Sequence, residues 1–564
     1  MHICYNIIMK AFKDKYFRIL VILAIIFFCV YSFLPISQLI FQNQNNIKSS
    51  LKFNTPDEVI NYYFTTQYTK TSELYYFEPL NNFVNRVIFP RWAFVKDGRI
   101  TPGNFLGIDL IYGNLAKIFS PEYSGLIIPF LTPIFAVIGI LFFYLLLKYF
   151  FEKRVAFVSA LLVFIFPGFW YYASRTMFHN ILFLSLLIIG LYFLFRLFKT
   201  NKNKLFLSFL CGLFVGLALI TRTSEIVWVF LMVLIILIFN FKKLKDLWLY
   251  LLLSLVIFSF CFVPVFYQHK ILYNNYFSTG YPIHTVSSNL ESGQVKSINY
   301  FQALILPFGF HPRVIITHTF YKYILNLFWP WIILWLIGLA VFFKTKKTKQ
   351  EKNYFPLFFV PCFLLIYYGS WFFRDSIDPN LVSLGSSYVR YFLPLFIFNI
   401  PIIGFLIVKI FNIKKWSKIN KCFCVFVFLS LSVFSFYQVY FANSESLINI
   451  KNQLIKYQIQ NQSFLKKIDQ DDIIYLSAGT DKILFPEFKH LIVQQNKVEF
   501  VEIKKLLFYR NVYYFHHNEN TSLKELNKNI FNPENLKLEN EVLINGGGKL
   551  FQIVQDKLKT NVKK

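Results

Sequence analysis

The sequence has 564 residues, of which 56% are hydrophobic and 21% aromatic, and its mean hydropathy is +0.48. Only 15% are charged, well below the roughly 25% of an average soluble domain. This composition excludes a soluble enzyme, a disordered protein and a disulfide scaffold. The net charge of +29 comes from short basic clusters between apolar runs, which is typical of membrane-flanking loops and not of a nucleic-acid-binding face. We therefore expect a membrane protein with no nucleic-acid partner.

Eleven apolar segments approach the roughly 20 residues that a transmembrane helix needs. They are 18–41, 124–147, 155–172, 178–198, 205–221, 224–241, 247–267, 323–343, 354–372, 389–411 and 422–441. The first is too long for a signal-peptide core and has no small-residue cleavage site, so we interpret it as an uncleaved anchor. The predicted fold class is an α-helical polytopic membrane protein of about eleven transmembrane helices.

The basic residues give this arrangement an orientation. If the amino end is cytoplasmic, the inside connections with their flanks and the amino-terminal tail carry 24 Lys and Arg, whereas the short outside connections carry three. This asymmetry follows the positive-inside rule. It predicts a multi-pass protein of the plasma membrane or an equivalent membrane, with a cytoplasmic amino terminus and an extracytoplasmic carboxyl terminus.

Three long polar regions then lie outside: the loops 42–123 and 268–322 and the tail 442–564. We predict two domains, a membrane domain at 1–441 that includes both loops, and a small extracytoplasmic α/β domain at 442–564. In the tail, 444–468 is predicted to be helical, 472–477 and 511–515 to be strands, and 541–554 to be a hairpin around Gly546-Gly547-Gly548. The glycines indicate a turn more than a phosphate cradle, because no helix follows them.

The first outside loop begins with two adjacent carboxylates, Asp57 and Glu58. Thr55 as a cap and Pro56 in the first turn predict that a helix starts here. Acidic residues are favoured in a first helical turn by the helix dipole alone. A carboxylate close to the membrane is also a natural base for an acceptor hydroxyl or amine, or a ligand for a divalent cation that bridges phosphates.

Ionisable residues near the membrane are the other candidates, since they are costly there and often functional. Arg175 and His179 follow the third predicted span, Arg222 and Glu225 lie between the fifth and sixth, and Arg390 begins the tenth. All three arginines are expected at the outer interface. Snorkelling, or a simple Arg222–Glu225 pair, is the alternative explanation.

The first loop holds further charged residues. Arg91 could contact a phosphate, because arginine suits bidentate phosphate recognition better than lysine. Glu78 and Asp97 are, with His179, the additional polar candidates on the acceptor side. The cysteines lie in the amino-terminal tail and in apolar runs, so we expect no disulfide and no metal site from them.

These features together resemble the GT-C superfamily of integral membrane glycosyltransferases, and most closely its protein mannosyltransferase and aminoarabinose transferase branch (families 39 and 83). The likeness covers about residues 10–441. It is carried by Asp57-Glu58, by Phe166-Pro-Gly-Phe-Trp-Tyr-Tyr172, by the segment from Gly212 to Thr223, and by Arg390-Tyr391-Phe-Leu-Pro394. The sequence departs from many relatives after the third span, where it reads Arg175-Thr-Met-Phe-His179-Asn180 and not an acidic residue.

The resemblance implies an enzyme that moves a sugar from a polyprenyl-phosphate donor to a lipid, glycan or protein acceptor on the outer or luminal face, usually with inversion. Asp57 matches the family's presumed base, Glu58 completes the matched pair, and Arg222 and Arg390 match the arginines that hold the carrier phosphate. No cofactor is certain, and a divalent cation remains an open alternative. The Trp-Trp-Asp signature of oligosaccharyltransferase is absent, so transfer of a whole glycan to Asn is not expected.

Two other classes share some of these features. A polysaccharide flippase or other transporter also needs many spans and intramembrane cations, but it commonly shows repeated halves, which we do not find in the sequence. A polymerase or ligase of lipid-linked glycans would use the same donor and leaflet, but its large loop normally comes late in the chain. A non-catalytic scaffold would leave Asp57 with no role beyond capping a helix.

Overall fold

The computed structural model describes residues 11–47, 49–278, 306–346, 348–373, 381–414, 417–477, 479–494 and 498–556. Residues 279–305, the centre of the predicted loop 268–322, lie outside these ranges. The chain forms two compact units. The first comprises Met1–Leu34, Phe130–Val265 and Asn289–Asn449, and the second comprises Pro35–Pro129, Phe266–Ser288 and Ile450–Lys564.

Several helices are suited to a bilayer. In the described ranges, six helices are long and apolar enough to cross a membrane, or up to nine if each bent pair is one span. The six are Pro121–Leu147, His179–Lys199, Lys204–Thr221, Phe241–Tyr273, Leu393–Phe411 and Ser417–Tyr440. The bent pairs are Lys15–Tyr31 with Phe33–Asn45, Lys153–Ile165 with Pro167–Ser174, and Pro312–Asn326 with Trp329–Lys344. The predicted fold class, a helical integral membrane protein, is confirmed.

Two predicted spans correspond to shorter or broken helices. The segment 224–241 contains the 14-residue helix Ile226–Phe239, and 354–372 contains the short pieces Phe355–Phe359, Val360–Phe363 and Leu364–Tyr367. Pro356 and Pro361 lie at the starts of the first two pieces. Proline removes a backbone donor and clashes with the preceding turn, which interrupts a helix. The count of eleven spans therefore stays a prediction.

Small residues bring two helices of the first unit into backbone contact. A Cβ at Gly212 would overlap the carbonyl oxygen of Ser254, and one at Gly216 would lie 2.7 Å from Cys261 Sγ. Ser208, one turn earlier, accepts a hydrogen bond at its carbonyl from Ser254 Oγ at 2.9 Å. Membrane helices approach this closely where small residues recur every fourth position. The spacing of Ser208, Gly212 and Gly216 thus fixes the helix Lys204–Thr221 against Phe241–Tyr273.

The second unit contains two sheets. The strands β1 (Tyr76–Phe77), β2 (Ala93–Lys96) and β3 (Arg99–Pro102) form an antiparallel sheet of order β1-β3-β2. The larger sheet has the order β5-β4-β6-β8-β7 and consists of β4 (Ile473–Leu476), β5 (Leu491–Val493), β6 (Val512–His516), β7 (Leu536–Leu543) and β8 (Lys549–Gln555). Strands β5, β4 and β6 are parallel, and β6, β8 and β7 are antiparallel.

The tail prediction agrees with this sheet in most of its elements. The helix Leu447–Leu465, strands β4 and β6, and the β7–β8 hairpin lie where they were predicted. Gly546, Gly547 and Gly548 form the hairpin turn with φ of 88°, 106° and 96°, a conformation that only glycine adopts without strain. Strand β5 and the helix Val498–Leu506 were not predicted.

The first outside loop and the tail share one hydrophobic core. Leu80, Val84 and Ile88 of the loop are buried in one cluster with tail residues such as Tyr475 and Phe551. Ile88 also forms an antiparallel bridge with Ile492. The structure therefore assigns 35–129 to the same compact unit as the tail, whereas the sequence grouped this loop with the membrane domain.

A buried ion pair joins the two parts of this unit. The fully buried Lys52 ammonium lies 2.6 Å from Glu487 Oε2. Glu487 Oε1 accepts hydrogen bonds from the backbone N–H of Ser50 at 2.7 Å and from its hydroxyl at 2.8 Å. Asn461 Nδ2 donates to Glu487 Oε2 at 3.3 Å. Since a buried charge is tolerated only when it is paired and hydrogen-bonded, these partners account for Lys52 in the interior.

We expect Lys52→Met to lower the free energy of unfolding by about 3–5 kcal/mol, because it leaves the Glu487 carboxylate buried without its cation. Lys537→Met is the control, since Lys537 pairs with Glu539 at the surface and such pairs contribute less than about 1 kcal/mol. Chemical unfolding of the purified protein in detergent measures both. Equal effects of the two substitutions would contradict this role of the pair.

We expect Gly212→Val to destabilise the protein by about 1–3 kcal/mol, the usual effect of overpacking, because the new side chain would overlap the Ser254 backbone. Phe209→Val is the control, because it places the same β-branched residue at an outward-facing position of this helix, where the valine does not overlap another helix. Melting temperatures in detergent distinguish the two. A Gly212→Val protein as stable as Phe209→Val would show that the helix contact is not tight.

Candidate functional site

The predicted helix start at the Asp-Glu pair is confirmed. The helix is Pro56–Thr71, with Thr55 as its cap and Pro56 at its first position. The Glu58 carboxylate accepts hydrogen bonds from Thr55 N at 3.1 Å and from Thr55 Oγ1 at 3.0 Å. Together with the contact from Glu58 N to Thr55 Oγ1, this is a capping box. Glu58 is buried and stabilises the helix end.

Asp57 occupies the second position of this helix and is half-buried. The capping box is completed by Thr55 and Glu58, so the cap does not require the Asp57 carboxylate. The helix N-terminus favours a negative charge at this position. Of the two adjacent carboxylates, Asp57 is therefore the better candidate for chemistry.

Three arginines of the first unit, Arg175, Arg222 and Arg390, lie around two shared aromatic rings. The guanidinium carbons of Arg175 and Arg390 lie 5.2 Å and 5.0 Å from the centre of the Phe178 ring. Those of Arg390 and Arg222 lie 5.1 Å and 4.6 Å from the centre of the Tyr391 ring. Cation–π attraction offsets part of the repulsion between like charges. The structure thus brings together three of the four arginines that the sequence singled out, and Arg91 is not among them.

Hydroxyl groups orient two of these guanidinium groups. Arg175 Nη1 donates to the Tyr171 hydroxyl at 2.7 Å. Arg390 donates to Ser387 Oγ from Nε at 3.1 Å and from Nη2 at 2.7 Å. Asn180 Nδ2 donates to the Arg390 carbonyl at 2.8 Å, which holds the backbone of that segment. These contacts fix the direction of each guanidinium plane.

Arg222 has a carboxylate partner. Its Nη2 lies 2.6 Å from Glu225 Oε1, and both side chains are buried. Glu225 also accepts hydrogen bonds from the Tyr368 hydroxyl at 2.9 Å and from Trp228 Nε1. The Arg222–Glu225 pair considered from the sequence is present, and it holds Arg222 against the face of Tyr391.

The other charged candidates of the first loop have contacts within the second unit. Arg91 forms an ion pair with Asp481 at 2.6 Å and donates to the Gly479 carbonyl at 3.0 Å. Glu78 caps the short 3₁₀ helix Pro79–Asn82 and lies 2.6 Å from His490 Nδ1. Both sets of contacts stabilise the second unit. A structural role is therefore enough to explain Arg91 and Glu78.

Asp97 lies in a tight turn. It forms the β2–β3 turn with Gly98, at φ of 50° and 71°, between the paired residues Lys96 and Arg99. A two-residue turn with both φ values positive is of the Asp-Gly type I′ class. Turn formation is therefore enough to explain this exposed aspartate.

His179 is a buried residue that begins the helix His179–Lys199, one residue after Phe178. In the described part of the chain, no group of three or more His, Cys, Asp and Glu side chains is arranged to hold a metal ion.

Sequence reasoning missed the aromatic partners of the arginines. Phe178 and Tyr368 were not singled out, and Tyr391 was noted only as part of the motif that begins at Arg390. Tyr368 stacks on Tyr391 with ring centres 4.8 Å apart. Two signals were local, because Tyr391 follows Arg390 directly and Phe178 lies three residues after Arg175. The contacts of Tyr368 with Tyr391 and of Phe178 with Arg390 join distant segments, which a single sequence does not reveal.

Comparison with known proteins supports the fold. Residues 108–267 match the family model described as dolichyl-phosphate-mannose-protein mannosyltransferase. ArnT from Cupriavidus metallidurans in the apo state is 12% identical, with a TM-score of 0.51 over 95% of this chain and 97% of that chain. The oligosaccharyltransferase AglB from Archaeoglobus fulgidus, in complex with an inhibitory peptide and a dolichol-phosphate, is 14% identical, with a TM-score of 0.52 over 89% and 69%. A search of curated proteins gave no match.

The matched family and both structures are GT-C glycosyltransferases. The resemblance to the GT-C superfamily is therefore confirmed, and the chain is a membrane protein with a GT-C-like fold.

We expect Arg222→Gln to destabilise the protein by about 3–5 kcal/mol, because it leaves Glu225 buried without its cation. The double substitution Arg222→Gln with Glu225→Gln should recover most of this loss. Arg154→Gln loses one exposed hydrogen bond, to the Asn412 amide oxygen, and should cost about 1 kcal/mol or less. Unfolding in detergent gives the three values, and an Arg222→Gln effect no larger than that of Arg154→Gln would show that the pair does not hold this region together.

Proposed function

We propose that the protein is a glycosyltransferase that moves a sugar from a polyprenyl-phosphate donor to a lipid, glycan or protein acceptor, with inversion at the anomeric carbon. The observation that carries this proposal is the cluster of three arginines around Phe178 and Tyr391. Two findings support it further: the family description names dolichyl-phosphate-mannose, and the similar AglB structure contains a dolichol-phosphate.

The arginine cluster suits a phosphate that gains charge as the reaction proceeds. When the sugar leaves, the carrier changes from a phosphodiester to a phosphomonoester, which bears more negative charge. Hydrogen-bond donors of the protein that are already held in place stabilise such a developing charge without having to reorganise during the reaction. Guanidinium groups bind phosphate oxygens through two parallel hydrogen bonds. Phe178, Tyr391, Tyr171 and Ser387 would hold these groups ready for the carrier.

Asp57 is the proposed general base. The acceptor hydroxyl or amine attacks the anomeric carbon, the bond from this carbon to the phosphate oxygen breaks, and the acceptor proton passes to Asp57. The products are the glycosylated acceptor and the polyprenyl phosphate. No step in this scheme is routed through a cation. A helix N-terminus stabilises the ionised form of Asp57, which is the form that accepts the proton.

Transfer would take place on the extracytoplasmic face, with the amino terminus cytoplasmic and the carboxyl terminus outside. The distribution of Lys and Arg supports this orientation. The donor enters from the bilayer, because its polyprenyl chain is insoluble in water.

We expect Asp57→Asn to lower kcat about 10²-fold or more, since general bases typically contribute 10²–10⁴-fold. The measurement is sugar transfer in proteoliposomes with a panel of polyprenyl-phosphate sugars and acceptors of the three classes. Glu58→Gln is the matched control, because Gln also completes a capping box, and we expect it to lose less than about tenfold.

Equal turnover by the wild type and Asp57→Asn would remove Asp57 as the base. If no donor of the panel is turned over, the same proteoliposomes should be assayed for movement of the lipid-linked sugars across the bilayer. Movement without transfer would replace the proposed function with the transporter alternative.

A further inference from the structure

Asp109 is a buried carboxyl group that the proposed reaction does not use. It lies in the helix Gly107–Ala116 of the second unit and is fully buried. Its Oδ1 accepts a hydrogen bond from Thr65 Oγ1 at 2.8 Å. Its Oδ2 is buried without a hydrogen-bond partner among the described residues. Thr65 belongs to the helix Pro56–Thr71, which carries Asp57.

The surroundings of Asp109 favour its neutral form. Burial raises the pKa of the Asp109 carboxyl well above its usual range, and the hydrogen bond from Thr65 opposes this only in part. Within the described ranges, no Lys, Arg or His lies at ion-pair distance from it. If Asp109 were ionised, a charged oxygen would be buried without a hydrogen-bond partner. The free-energy cost of burying that charge is far larger than the cost of burying the neutral acid.

The segment around Asp109 contacts the Asp57 helix at three levels. Asn104 Nδ2 donates to Asn61 Oδ1 at 3.2 Å, with both side chains buried. Asp109 accepts from Thr65, one turn further along. At Gly113 the two segments approach so closely that a Cβ would lie 2.6 Å from the Tyr68 ring. Two directional hydrogen bonds and one tight contact therefore fix the rotation and height of the helix.

The residues held in this way share one face with Asp57. Asp57, Asn61 and Thr65 are spaced by four positions, and residues at this spacing stack along one side of a helix. Asn61 lies one turn beyond Asp57, and Thr65 lies one turn beyond Asn61. A rotation of the helix at Thr65 would therefore move the Asp57 carboxylate by a similar angle.

We propose that Asp109, as a neutral carboxylic acid bonded to Thr65, is a positioning residue that sets the orientation of Asp57 for proton abstraction. This inference rests on the proposed function, because it assigns to Asp109 a part in the reaction of Asp57. Asp109 itself touches neither substrate nor reacting atoms.

In the described part of the chain, no Lys, Arg, His, Asp or Glu side chain bonds to Asp109, and the nearby Lys96 ammonium donates to the Tyr273 carbonyl at 3.0 Å. Tyr273, from the helix Phe241–Tyr273, is the titratable group that faces Asp109 from that side. Its hydroxyl donates to the Pro102 carbonyl at 2.5 Å. Asn61 and Asn104 are uncharged. Asp109 therefore holds its proton without a cation or a second carboxylate to set its charge.

The test compares kcat and KM for transfer in a series of variants. Thr65→Val and Asp109→Leu should each lower kcat about tenfold or more with KM little changed, because small displacements of a catalytic group are costly. Thr65→Ser keeps the donating hydroxyl, and Asp109→Asn keeps a neutral oxygen acceptor. Both variants should therefore retain most of the wild-type kcat. Thr66→Val is the matched control, since the Thr66 hydroxyl bonds only its own helix, at the Tyr62 carbonyl.

A second comparison separates positioning from general damage. Combined with Asp57→Asn, Thr65→Val should cause no further loss, because residues that act through one another are not additive. A further tenfold loss in the double variant would overturn the proposal. So would a Thr65→Val enzyme as active as Thr66→Val, or an Asp109→Asn enzyme as impaired as Asp57→Asn.

The neutral state of Asp109 can be tested without activity. A carboxyl whose pKa is raised in the folded state stabilises the fold below the ordinary carboxyl pKa of about 4, and this contribution is lost as the pH rises toward the folded pKa. The melting temperature of the wild type should therefore fall, relative to that of Asp109→Asn, between about pH 4 and neutral pH. Parallel curves would show that Asp109 is ionised and overturn the inference, whether or not the protein transfers sugar.

Discussion

The organisation of the second unit depends on one buried ion pair. Lys52 and Glu487 are far apart in sequence, yet the fully buried Lys52 ammonium meets the largely buried Glu487 carboxylate, and each charge offsets the cost of burying the other. Lys52 lies just before the helix that carries Asp57, and Gln38 holds its backbone through two hydrogen bonds of 2.9 Å and 3.0 Å. The tail thus stabilises the start of the first loop, and the residues directly before the Asp57 helix are held in place.

In the first unit, three guanidinium groups lie close together in largely apolar surroundings, and other interactions must offset their mutual repulsion. A guanidinium group is more weakly hydrated than an ammonium group, so its burial is less costly. The faces of Phe178 and Tyr391 carry negative partial charge and lie under these groups. An ammonium group would also be attracted to these rings, but it costs more to bury and cannot stack on them as a plane, which favours arginine at these positions.

Local patterns predicted much of this structure, and long-range contacts account for what they missed. The cap at Thr55, the helix after Asp57 and the glycine turn at 546–548 follow from short motifs whose physics is local. The sharing of one core by loop and tail, and the role of Arg91 as partner of Asp481, depend on segments nearly 400 residues apart. Asp109 is visible in the sequence as a charged residue of the first loop, in a largely apolar segment, but its bond to Thr65 required the fold.

The distance along the chain between Lys52 and Glu487 also has a consequence for biosynthesis. The two residues are separated by 435 positions. At roughly 5–20 residues per second, translation needs about 20–90 s to pass from one to the other. During that interval the nascent first loop has no anion for Lys52 and lacks the tail side of its core. The contacts that hold the base of the Asp57 helix can therefore form only after Glu487 has been made. A chain that terminates before Glu487 would lack these contacts, and Asp57 would not be held in the position described above.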